Sequence, residues 1–140
     1  MKQAIGLLAL VALGLEAARA VFGAETVLVV VDGALALMAL MIAGTFLWLW
    51  LERTTPLALG MAFSWLGAGL IAGGWWLTRL AGGPVRGVSE AGLIVLLGLS
   101  LVGAVLHFAV IHRSFGYHGV NFLWPVALAL GLSGLVFALV

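Results

Sequence analysis

Apolar residues fill five long stretches, near Gln3–Phe22, Val27–Leu51, Leu57–Thr78, Ser89–His112 and Val120–Val140. The short polar breaks between them hold nearly every charge. A helix rises ~1.5 Å per residue, so roughly 20 residues cross a hydrocarbon core about 30 Å thick. Each stretch meets that length. Strands of a transmembrane barrel would be shorter and would alternate apolar with polar positions. A helix also satisfies its own backbone in lipid. The pattern predicts an all-α integral membrane protein: five transmembrane helices with short loops, forming one helical bundle over residues 1–140.

Composition strengthens this reading. The chain is 65% hydrophobic and 8% charged, with a mean hydropathy of +1.31. That excludes an ordinary soluble domain. Once the helices are subtracted, too little polar chain remains for a soluble head, so any chemistry must use the bundle or its rims. A net charge of +1 argues against nucleic acid as a partner. With no cysteine, disulfides and thiolate metal sites are excluded. The expected partners are membrane lipids and either other membrane subunits or further copies of the chain.

The first stretch resembles a secretory signal in Lys2, the apolar run Ala4–Leu15 and the small-x-small Ala18-Arg19-Ala20. Glu16 and Arg19 crowd the cleavage region, and the segment reads as a retained helix.

Five antiparallel helices would put Lys2, Glu52, Arg53, His112, Arg113, Tyr117 and His118 on one face. The other would carry Glu16, Arg19, Glu25, Asp32, Arg79, Arg86 and Glu90. Lys and Arg divide evenly between the faces, so the positive-inside rule gives no orientation. Lys2 and the amino terminus tip the reading towards N-terminus inside, in a bacterial-type inner membrane. Trp48, Trp50, Phe122 and Trp124 fit an aromatic belt at the first face, and Trp75 and Trp76 mark the second. The second and third helices, and the fourth and fifth, share a charged corner at Glu52-Arg53 and His112-Arg113. A duplicated hairpin would account for that likeness.

Helices in lipid associate through close packing and polar contacts, for which small residues are the device. Gly60, Ser64, Ala68 and Ala72 recur every four residues in the third helix, beside Gly69 and Gly73. Ser100, Gly103 and His107 share a face of the fourth.

Ionisable groups inside a span are costly and call for partners. Asp32 lies near the start of the second helix, and Arg19 is its expected partner across a short hairpin. Glu16, one turn from Arg19, would complete a triad that serves as an ion pair or as a proton or ion site. His107 could hydrogen-bond across helices, carry a proton or ligate haem. Glu52, Arg53, His107, His112, Arg113, Tyr117, His118 and Asn121 make a polar rim suited to a partner, a lipid headgroup or a cofactor. The histidine spacings match no compact zinc motif, and nothing in the chain requires a cofactor, although a haem or a quinone stays open.

No nucleotide loop, serine triad or zincin helix occurs, and no catalytic residue is assigned. Three functions compete. The first, and the one favoured, is a non-catalytic accessory or structural subunit packing against a larger membrane complex. The second is a small oligomeric transporter or channel using Asp32 and His107. The third is a haem- or quinone-binding redox protein using His107, His112 and His118.

Overall fold

The computed structural model describes residues 2–82, 89–116 and 119–139. Arg86, Tyr117 and His118 lie outside them. Five α-helices follow in order: α1 (Lys2–Phe22), α2 (Ala24–Arg53), α3 (Pro56–Leu80), α4 (Glu90–Ser114) and α5 (Trp124–Leu139). A 3-10 turn at Asn121–Leu123 leads into α5, and no strand occurs among the described residues. All five helices, α5 taken with its 3-10 turn, are long and apolar enough to cross a membrane.

Local chemistry sets several ends. Ser89 caps α4, its hydroxyl accepting from the Gly92 amide at 3.1 Å, and Glu90 sits in the positive first turn. Pro56 opens α3, where a missing amide hydrogen costs little. Pro125 has the same effect one residue into α5: it cannot donate back to Asn121, and the chain tightens into the 3-10 turn before it. Thr54 ends α2 in the left-handed conformation, its amide donating to the Trp50 carbonyl at 2.6 Å.

Contact runs between helices adjacent in the chain. α2 packs along α3 and α3 along α4, while no Cα of α2 comes within 8 Å of one on α4. Both pairs are antiparallel, because partner numbers fall as residue numbers rise. Gly33 meets Trp76, Ala36 meets Gly73 and Ala39 meets Gly69; on the other side Gly60 meets His107 and Gly67 meets Ser100. On α3, Gly60, Ser64 and Gly67 face α4, whereas Gly69, Gly73 and Trp76 face α2. At 100° per residue these sets lie on roughly opposite sides of the helix. Helix α3 is therefore the middle of a row of three packed helices.

The outer helices are arms. Gly23 alone separates α1 from α2, with φ 84° and ψ 157°, a conformation essentially restricted to glycine. α1 touches α2 sparingly, and the clefts between them are lined by residues 12–22 and 24–31. Contact of α5 with α4 is slight, and neither arm carries a buried residue in its apolar window. The corners Glu52-Arg53 and His112-Arg113 thus end hairpins that pack differently.

Every buried residue among those described is alanine or glycine: Gly33, Ala36, Ala39 and Ala43 on α2, five more on α3, and Gly103 on α4. No large side chain among the described residues is fully buried. A water-soluble fold buries leucine, isoleucine and phenylalanine. Here they point outward, as suits helices that associate by close approach in lipid. The accessible surface is 10280 Å² for 14.5 kDa. A compact soluble chain of that mass would expose about 6,900 Å².

Candidate functional site

The polar side chains fall into four places along the row. At the α1–α2 elbow, Arg19 grips Glu16 on its own helix with two parallel bonds, Nε donating to Oε2 at 2.9 Å and Nη2 to Oε1. Both side chains are exposed. Residues three apart on a helix are neighbours, so this pair forms whatever α2 does.

Asp32 is held from the other side. Its Oδ2 lies 2.8 Å from Nη1 of Arg79, in the last turn of α3. The expected triad of Glu16, Arg19 and Asp32 is therefore replaced by two separate pairs, and Arg79 is the partner that sequence reasoning missed. A signal existed. Counting equally outward from the Thr54–Thr55 corner puts Asp32 opposite the last turn of α3. Helical side chains lean towards their N-terminus, which brings Arg79 back to it. One residue on, the indole of Trp76 lies over Gly33, where an added Cβ would stand 2.5 Å from Cε2.

The third place is the α3–α4 seam. Gly60 and Gly103 let the two backbones meet: a Cβ on Gly60 would lie 2.9 Å from the His107 amide nitrogen, and one on Gly103 would strike the Ser64 amide. The Ser64 hydroxyl donates to the Ser100 carbonyl at a long 3.5 Å. The Ser100 Oγ and the His107 Nδ1 are buried without a hydrogen bond. Other hydroxyls bond back to their own helix, as Thr45 does to Met41 at 2.8 Å and Thr78 to Gly74 at 2.6 Å. Ala68 is exposed and Gly67 takes its place in the seam. A spacing of four advances 400°, so a strict i+4 stripe drifts 40° per step away from its neighbour.

The rim is the fourth place. His112 Nε2 is buried in the last turn of α4, and the His112 ring packs on Phe122 of the 3-10 turn with centroids 6.3 Å apart. Arg113 and Asn121 are exposed nearby in sequence. Glu52 and Arg53 end α2 beside an open cavity of about 430 Å³, which they line with Trp48, Leu49 and Thr55. The described residues hold no group of three His, Asp or Glu side chains able to bind a metal ion.

No protein-family model, curated protein or solved structure matches the chain.

Proposed function

We propose that this protein is a non-catalytic structural subunit of a larger membrane assembly, its helical row docking against the helices of a partner. The observation that carries this reading is the unfinished packing of the arms. On α2, α3 and α4, small residues such as Gly33, Gly60, Gly67, Gly69 and Gly103 mediate close helix contact, Gly44 and Gly98 excepted. On α5, Gly131 and Gly134 stand in open space, and so do Gly6 and Gly14 on α1. Lipid alone gives helices no drive to associate, so small residues serve contact with another helix. The Asp32–Arg79 and Glu16–Arg19 pairs fit the same role, since each charge is already answered within the chain. We place the assembly in a bacterial-type inner membrane, N-terminus inside.

Native mass spectrometry of the protein extracted gently from its own membrane tests the reading. A reproducible mass that includes a larger partner supports it. A homo-oligomer without partners overturns it in favour of transport.

One observation favours a second reading, proton handling at His107. Its Nδ1 is buried without a hydrogen bond in the α3–α4 seam, a costly arrangement for a purely structural side chain. Proton flux into liposomes carrying the protein separates the two. Flux abolished by His107→Leu in a folded variant supports proton handling, and wild-type liposomes no leakier than empty ones end it.

A further inference from the structure

We propose that the end of α2 binds the headgroup of a zwitterionic phospholipid, with Arg53 on the phosphate and Glu52 on the ammonium. Glu52 and Arg53 are consecutive on a helix, so they point about 100° apart and cannot answer each other's charge. Neither forms an ion pair or hydrogen bond with another described residue. Asp32 and Glu16 are answered within the chain, by Arg79 and Arg19, whereas Glu25, Glu90 and Arg113, like Glu52 and Arg53, form no ion pair with a described residue. Two opposite charges at the apolar end of a long helix therefore wait for a partner that itself carries both signs.

The surroundings suit such a partner. The open cavity beside Glu52 and Arg53, about 430 Å³, leaves room for a headgroup. Arg53 offers a planar fork that matches phosphate oxygens. The carbonyls at the C-terminal end of α2 add negative potential beside Glu52, which favours an ammonium. Thr55 supplies a hydroxyl, and Leu49 an apolar wall. Trp48, 63% exposed, supplies an indole, the kind of ring enriched where headgroups meet acyl chains. An anionic headgroup would satisfy Arg53 and leave Glu52 repelled.

The proposal needs α2 to lie in a membrane and does not need the subunit role. Lipid retention is measured on the isolated protein, so the two readings fail separately. The test is native mass spectrometry from mixed micelles holding equal phosphatidylethanolamine and phosphatidylglycerol, on wild type, Glu52→Gln and Arg53→Gln. Wild type should retain the ethanolamine lipid preferentially. Glu52→Gln should reduce that preference about two- to fivefold, the size expected of an interfacial ion pair. Arg53→Gln should weaken retention of both lipids. Equal preference in all three proteins overturns the site, and displacement of the lipid by free phosphoethanolamine overturns its assignment to a membrane lipid. A photoactivatable ethanolamine lipid on the wild-type protein gives a check independent of any variant: labelling within residues 48–55 supports the site, and labelling confined elsewhere overturns it.

Discussion

Asp32 on α2 and Arg79 on α3 meet at 2.8 Å and tie the open end of a hairpin whose other end is the Thr54–Thr55 corner. Their side chains are 29% and 37% exposed, so the pair is only partly enclosed by protein, which tempers both its strength and the cost of losing it. Removing one partner from a fully buried pair costs ~3–5 kcal/mol. Here Asp32→Asn or Arg79→Gln alone should cost about 1–2 kcal/mol, discounted for exposure. The double variant should cost less than the sum. A double-mutant cycle on unfolding in detergent measures this, and strict additivity would show that the two charges do not interact.

Two glycines on α4 differ in what a methyl group would meet. At Gly103 it would strike backbone atoms of Ser64 and Gly60, which cannot rotate away. At Gly98 nothing lies within 4 Å. Gly103→Ala should destabilise by about 1–3 kcal/mol, the usual cost of overpacking. Gly98→Ala should be neutral or add up to ~1 kcal/mol through helix propensity. Thermal unfolding of both variants in one detergent decides; a harmless Gly103→Ala would mean that α3 and α4 do not approach as described.

At the elbow, Gly23 holds φ 84° and ψ 157°. A side chain there costs ~1–3 kcal/mol. Gly23→Ala should relieve that strain by opening the corner, since alanine prefers to continue the helix. Spin labels at positions 12 and 28, beside the α1–α2 cleft, should then move apart in a pulsed distance measurement. An unchanged distance would mean that other contacts hold the elbow.

The five helices are legible in the sequence because span length answers to bilayer thickness and to little else. Their ends fall within three residues of the apolar runs, α2 reaching out to Ala24 and Arg53, except that α5 begins only at Trp124, after the 3-10 turn, well inside its run. The α4 face of Ser100, Gly103 and His107 is legible too, since spacings of three and four hold one side of any helix, and that side lies against α3. The partner of Asp32 is not read so directly. Arg19 is closer in sequence, but a one-residue connection at Gly23 turns α1 through a corner that hydropathy does not encode, and Glu16 already occupies Arg19. Ala68 illustrates a further limit: a four-residue repeat and a 3.6-residue helix drift apart within two turns.

The last test concerns α5. Its Gly131 and Gly134 stand in open space, so within this chain a larger side chain meets no obstacle. Gly131→Leu and Gly134→Leu should leave the stability of the isolated protein unchanged or raise it by up to ~1 kcal/mol through helix propensity. A partner helix that packs on this face would lose its close approach, because leucine separates backbones that glycine lets meet. Co-purification from native membranes should therefore fall sharply for these variants and remain at the wild-type level for Gly98→Ala, whose site on α4 belongs to a different helix. Loss in detergent stability together with loss of the partner would place the defect inside the chain. Full retention of the partner by both leucine variants would remove α5 from the docking face and leave α1, with its open Gly6 and Gly14, as the arm that makes the contact.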